Sequence, residues 1–502
     1  MLMIVTLIVI FTSLWFLYIK FIRTSDFWKQ KNIASAISVP VFGNIKDFIL
    51  GKRHLIYIYD DIYNEFHSSQ FVGIFEMRSP NLLILDAELA NRILIKDFSY
   101  FYDRGGDVDE DLDPLNAHLV NLCGSRWRNT RNRLLPAFSS GKLKQMFGLI
   151  EDCVDELEKH VLPFVESGEP VDVRDVMAKF ATDVIGRCAL GLECNAMKDP
   201  NSEFRAIGRR IFKFTFKLVI RVCLKLINPN LLKLFPIKAV PVDIEIFFFS
   251  LLNEAMSLRK SAQERRVDFL QLMIDIREQE KQVNSKDELA NSFSDTWLVA
   301  NMFVFFAAGF ETTANTLSFC LYELALNPDV QTKLREEIRK AVDSYELNYD
   351  VVTTLSYLDM VVSETLRKYP PIPMINRICT SEYRIPGTNT VLKKNTRITV
   401  PIYSYHYDER YFPNAHQFLP ERFENAEKSL AYLPFGNGPR ICIGMKFAKL
   451  EIKRCLATVI LKYSFSTGPQ TDIPLKIRAR AIFLTPENGI KLRVTKIDNC
   501  TS

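Results

Sequence analysis

The sequence predicts a mainly α-helical chain, folded as one large domain behind an apolar N-terminal segment. Three observations carry this prediction. First, the 502 residues are 48% hydrophobic, enough for a large core, and no Gly/Ser-rich or Pro-rich break, internal repeat or low-complexity tract divides them. Second, the stretch from about Asp295 to Leu326 is apolar nearly all round, the signature of a helix crossing the middle of a large protein, with Pro328 at its exit. Third, Leu2 to Tyr18 is an almost unbroken apolar run, interrupted only by Thr6, Thr12 and Ser13.

That N-terminal run, roughly 27 Å long as a helix, approaches the hydrocarbon thickness of a bilayer. Lys20, Arg23, Lys29 and Lys31 follow it and no basic residue precedes it, so the positive-inside rule places the rest of the chain in the cytosol. A cleaved signal peptide ending near Ala34-Ser35-Ala36 is the rival reading. The run is long for a signal core and lies far from that site.

Further along, Gly124-Ser125-Arg126-Trp127-Arg128-Asn129-Thr130-Arg131 puts Trp127 and Arg131 one helical turn apart, an indole N–H and a guanidinium able to face one carboxylate. A basic helix at a solvated surface reads the same way. Within the long apolar helix sits Ala307-Ala308-Gly309-Phe310-Glu311-Thr312-Thr313. Glycine and paired threonines are poor choices for a helix interior, and a buried acid is costly unless it is used. The bland alternative has both threonines bonding back to carbonyls one turn earlier. Glu364 and Arg367 share a helical face, a weak signal alone, before Tyr369-Pro370-Pro371-Ile372-Pro373 ends the helix; Pro420-Glu421-Arg422-Phe423 comes later.

The most specific stretch is Phe435-Gly436-Asn437-Gly438-Pro439-Arg440-Ile441-Cys442-Ile443-Gly444. Its glycines and proline allow a sharp turn and the close approach of a flat ligand. An amphipathic helix, Met445 to Tyr463, follows at once. Backbone N–H groups, the helix N-terminus and Arg440 would all favour a thiolate at Cys442, which reads as a metal ligand.

Bulk properties exclude several classes. A net charge of +5 with no basic run gives nucleic-acid binding no support. Ten scattered cysteines without a CxxC pair indicate a reduced compartment, six histidines without ligand spacing argue against zinc, and the sequon at Asn499-Cys500-Thr501 would go unused in a cytosolic tail. No GxGxxG follows a predicted strand, so electrons for any redox chemistry must come from another protein.

Together these segments resemble the cytochromes P-450, the haem-thiolate monooxygenases. The cysteine loop matches that family's F-x-x-G-x-R-x-C-x-G at every fixed position, Phe435, Arg440, Cys442 and Gly444 included. The resemblance implies the family's fold, mainly α with a small β region, behind a single transmembrane helix. It implies residues 1–20 as anchor, 21–44 as linker and 45–502 as the haem-binding domain. Cys442 would be the axial thiolate of haem b, donating electron density that favours O–O cleavage. Trp127, Arg131, Arg377 and Arg440 would hold the propionates. Thr312 and Glu311, in a segment similar to A-G-x-E/D-T-T, would deliver protons, Gly309 would loosen the helix for oxygen and water, and Ala308 and Phe305 would wall the pocket. Glu364, Arg367 and Arg422 would form the buried triad of the E-x-x-R and P-E-R-F motifs.

The resemblance further implies NADPH–cytochrome P-450 reductase as electron donor, with cytochrome b5 a possible second partner. Lys142, Lys144, Arg126, Arg128, Lys446 and Lys449 would supply the docking charge. Phe101-Tyr102-Asp103-Arg104-Gly105, Phe138 to Lys144 and Gly191 to Asn195 look like the insect microsomal family six, whose members oxidise plant toxins and insecticides at the endoplasmic reticulum membrane. Segments 103–122, 200–220, 371–377 and 480–485 would contact a lipophilic substrate, given Phe212, Phe214, Phe216, Ile372, Met374 and Phe483. The acidic run Asp107 to Asp113 suits either a pocket mouth or a solvent-facing loop, and the solvent-facing reading is preferred. Two rivals stand beside this reading: a haem-thiolate isomerase or dehydratase, and a haem protein that binds ligands without turnover.

Overall fold

The computed structural model describes residues 26–106, 108–228, 230–261, 268–283, 293–424 and 429–497, together with Thr6 and Thr12. The expected anchor (1–20) and the sequon lie outside these residues, apart from those two threonines. The described chain is mainly helical with small sheets. Its organising element is α6, Asp295–Leu326, and the other elements used below are α1 (Leu55–Glu65), α2 (Gly124–Leu134), α3 (Ser140–Ser167), α4 (Val173–Ile185), α5 (Phe216–Ile227), α7 (Ser356–Lys368), α8 (Ile402–Tyr407) and α9 (Met445–Lys462).

Helix α6 starts where Ser294 accepts the amide of Trp297 at 3.2 Å and ends before Pro328, which opens the next helix. Its sides are apolar in every direction, so it needs partners in every direction. Helix α4 is the closest: a Cβ on Gly309 would lie 2.5 Å from Ile185 Cδ1, so only glycine permits this approach. The helix is continuous α there, so Gly309 serves packing against α4 and no local loosening is seen. Trp297 Nε1 donates to Thr130 Oγ1 of α2 at 3.2 Å, and Asn301 Oδ1 accepts the amide of Leu119 at 3.1 Å. Among the described residues α6 alone is long and apolar enough to cross a membrane, and 78% of its apolar window is buried in the protein.

The larger sheet joins β1 (Phe71–Glu76), β2 (Ser79–Ile84), β4 (Arg397–Val400) and β3 (Ile375–Ile378) in the order β1-β2-β4-β3. Its β2–β4 pairing is parallel, with Asn81 opposite Arg397, and its other two pairings are antiparallel. A smaller antiparallel sheet pairs Tyr463–Ser466 with Lys491–Lys496. Residues 26–44, read as linker, lie against the larger sheet: Trp28 is fully buried and donates to Ile74 O at 3.0 Å, and Asn44 Oδ1 accepts the amide of Phe75 at 2.8 Å.

Candidate active site

The cysteine loop is built by backbone geometry. Gly436 and Gly438 have φ of +74° and +70°, and a Cβ on Gly438 would sit 2.0 Å from Leu94 O. Asn437 fixes the turn, accepting from Gly438 N and donating to Asn91 Oδ1, both at 2.8 Å. Cys442 N donates to Phe435 O at 2.9 Å, closing the loop just before α9. Of the nine described cysteines only Cys442 is exposed. Even so, the protein crowding its sulfur raises the thiol pKa, opposed by the Gly444 N–H and the charges of Arg104 and Arg131. The cations that favour the thiolate are Arg104 and Arg131.

Four arginines gather around this loop. Arg440 is 2% exposed and donates to Tyr102 O and Leu122 O at 2.8 Å; its guanidinium lies 4.0 Å from the Trp127 ring centroid and 3.6 Å from Asp103. It thus clamps the loop to residues 102–122. Arg131 donates to Ile441 O at 2.8 Å, and Arg104 to Arg440 O at 3.1 Å. Arg377, at the centre of β3, is 2% exposed and donates to Asn376 O at 2.9 Å, while its Nε has no partner. Burial and Arg104 lower the pKa of Arg440 to about 9, and burial, Arg104 and Arg440 hold that of Arg377 well below its usual value. Buried cations with an orphaned donor beside an exposed thiol fit a flat ligand offering iron to the sulfur and carboxylates to the arginines. Sequence reasoning quoted Arg104 but gave it no role, because nothing local ties it to a carbonyl 336 residues away.

From Trp297 to Ala325 every residue of α6 is buried except Ala308, Gly309 and Thr312, which form a single stripe. Thr312 Oγ1 donates to Ala308 O at 2.7 Å, the back-bonded geometry, while Thr313 Oγ1 reaches Glu451 Oε2 of α9 at 3.4 Å. Glu311 pairs with Arg174 of α4 at 2.6 Å, both largely buried. Phe305 continues the stripe's face of α6, at i relative to Ala308, Gly309 and Thr312 at i+3, i+4 and i+7, and packs edge-on against Phe138 and Phe269.

Behind the loop, Glu364 Oε2 accepts Arg367 Nε and its Oε1 accepts Arg367 Nη2, both at 2.8 Å, and Arg422 Nε lies 3.0 Å from Oε2. Arg367 also donates to His406 O at 2.7 Å, and Arg422 to Pro413 O at 2.8 Å, so the triad pins the segment between α8 and the cysteine loop. Of the six basic residues expected at a docking face, Lys144 pairs with Asp350, Arg126 with Glu110 and Lys449 with Asp359.

Two expected substrate segments, 200–220 and 480–485, converge beside α6. Phe212 meets Phe310 of α6 at 6.0 Å and Phe483 at 4.8 Å. Phe214 instead packs on Phe48, and Phe216 is 79% exposed. Asp109 and Asp111 of the acidic run are exposed as expected, but Asp113 is 2% exposed, pairs with Arg221 of α5 at 3.0 Å and accepts the amide of Ala239.

Comparison with known proteins agrees with this geometry. A family model described as Cytochrome P-450 matches residues 34–494. The chain is 38% identical over 496 residues to the protein named "Probable cytochrome P-450 6a14" of Drosophila melanogaster, covering 96% of this chain and 97% of the relative. It is 37% identical to cytochrome P-450 6a2 of the same fly (95% and 96% covered) and 36% identical to cytochrome P-450 6j1 of Blattella germanica (99% of each).

Proposed function

Because the chain belongs to the cytochrome P-450 family, and is thereby a monooxygenase, we propose that it inserts one oxygen atom into lipophilic compounds, plant toxins or insecticides among them, at the cytosolic face of the endoplasmic reticulum membrane. The observation that carries this reading is Cys442, the exposed cysteine in a loop ringed by buried arginines. Cys442 is the iron ligand, and when bound the haem supplies oxygen-activating chemistry that thiolate donation favours. Arg104, Arg131 and Arg377 offer charge and free donors to its carboxylates. Arg440 is largely committed to carbonyls, so it contributes field and holds the loop in register, with Trp127 stacked beneath it.

On α6, Ala308, Gly309 and Thr312 present the opening at which substrate is held. The Thr312 hydroxyl rests on Ala308 O and moves a proton only by turning off that carbonyl. Glu311 is held by Arg174 through Oε1, so the carboxylate that relays protons is fixed in place by that pair. Phe212, Phe310 and Phe483 supply an apolar wall that excludes water and favours lipophilic substrates. Electrons arrive from NADPH–cytochrome P-450 reductase, for which Arg128, Lys142 and Lys446 provide surface charge, cytochrome b5 being a second donor. Residues 1–20 anchor the chain and 45–502 carry the chemistry.

The test reconstitutes the full chain with reductase, NADPH and a panel of lipophilic toxins under isotopically labelled dioxygen. Substrate-dependent NADPH consumption with one labelled oxygen in the product is expected. Product formed without NADPH would mark an isomerase or dehydratase, and ligand binding without turnover a sequestering protein; either result overturns the proposal.

A further inference from the structure

His406, the fifth residue of α8, is fully buried and lies outside every motif that carries the chemistry above. Its Nδ1 lies 2.8 Å from Arg367 O and its Nε2 lies 3.1 Å from the amide of Leu433. A carbonyl only accepts and an amide N–H only donates, so these two contacts fix the tautomer: Nδ1 carries the proton and Nε2 is the acceptor. The contact to α7 is reciprocal, since Arg367 Nη1 donates to His406 O at 2.7 Å. Beyond Leu433 the hydrogen bonds continue: Leu433 O accepts Gly436 N, and Phe435 O accepts Cys442 N, both at 2.9 Å. An unbroken path therefore runs from the triad arginine through one imidazole into the cysteine loop.

We propose that His406 is a positioning residue for Cys442, a neutral imidazole that joins Arg367 of the triad to the backbone entering the cysteine loop. A proton on Nε2 would set two N–H donors against each other at Leu433 and break the joint. The charged group facing it is Arg367, which opposes a second cation. Glu364, beyond Arg367, is committed to two arginines, and Asp408, past the end of α8, to Arg410 and the Tyr63 hydroxyl. Tyr432 stacks on the ring at 5.6 Å and its hydroxyl donates to Ser363 O; Phe412 meets the ring edge. Burial, with a smaller contribution from the Arg367 charge, lowers the His406 pKa to about 3, opposed by the carbonyls of Arg367 and Ala431. The sign follows: the folded joint stays neutral down to about pH 3, while its contribution to stability is full above about 6.5 and declines as pH falls from there toward 3.

The inference rests on Cys442 being the iron ligand. The test follows the thiolate-type band of the reduced carbon monoxide complex from about pH 8 to 3 in the full-length holoenzyme, in H406Q and in H406L. Glutamine can accept from Leu433 and does not titrate in this range; leucine fills the space and accepts nothing. Expected is a wild-type band lost on acidification, an H406Q band whose acid midpoint lies lower by about one pH unit or more, and an H406L band lost by at least about tenfold at neutral pH. A full H406L band, or an H406Q midpoint equal to wild type, overturns the inference and leaves the Cys442 reading intact. A wild-type protein with haem but no thiolate band at any pH overturns that reading instead. If neither variant takes up haem, hydrogen exchange of the wild-type peptide 429–436 decides. Its protection, corrected for intrinsic rates, should fall between about pH 7 and 5, and constant protection refutes the titrating joint.

Discussion

Replacing Glu364 with glutamine should destabilise the protein and release the cysteine loop without touching the loop itself. The carboxylate accepts Arg367 through both of its oxygens, as well as Arg422 Nε and the amide of Leu419. Glu364 and Arg367 are fully buried, and Arg422 is 11% exposed, so water cannot take over these contacts. Glutamine keeps one acceptor and turns an NH2 toward a guanidinium, leaving two buried cations without a carboxylate. Breaking a buried pair in this way costs about 3–5 kcal/mol. For a chain this long, that lowers the unfolding midpoint by roughly 3–5 °C. The assay is thermal unfolding followed by haem absorbance, with the thiolate-type carbon monoxide band measured on the same samples. Lys144→Ala, which breaks the exposed pair with Asp350, is the control and should leave both readouts unchanged. An E364Q protein with wild-type midpoint and full band would refute the triad's role.

Thr312→Ala should lower product per NADPH and raise hydrogen peroxide release at least about tenfold, with little change in unfolding because the half-exposed hydroxyl bonds only to Ala308 O; unchanged coupling removes Thr312 from proton delivery. Gly438→Ala should abolish haem incorporation, because its Cβ would meet Leu94 O at 2.0 Å at positive φ. Gly444→Ala, whose nearest neighbour is Phe138 at 3.8 Å, should be tolerated; equal haem content in the two would contradict this loop geometry. Glu451 is 1% exposed and hydrogen-bonded only to Thr313 at one oxygen, and burial raises its pKa well above the usual range. The native state thus holds a proton that the unfolded chain releases near pH 4.5, so stability falls as pH rises above that value. E451Q should remove this slope from urea unfolding measured between pH 5 and 8, and a slope equal to wild type would show the acid to be ionised.

What was legible in the sequence was what is contiguous. The cysteine loop, the span of α6 with its proline exit, and the Glu364–Arg367 spacing each lie within a few residues, where turn chemistry and helical period act. The pairs that set the site's electrostatics are distant in the chain: Arg104 with the Arg440 carbonyl, Glu311 with Arg174, Asp113 with Arg221, His406 with Leu433. No local period marks such pairs, so Asp113 reads as solvated and the sequence singles out no role for His406. Gly309 reads in the sequence as a loosened helix, and its role as the gap that Ile185 fills depends on a residue 124 positions away.

The central claim is that Cys442 presents a thiolate to haem iron. The reduced carbon monoxide spectrum of the full-length protein tests it most directly, read beside that of Cys442→Ala. The account predicts a thiolate-type Soret band in the wild type and its complete loss in the variant. A histidine-type band in the wild type, or a thiolate-type band surviving in the variant, would contradict it.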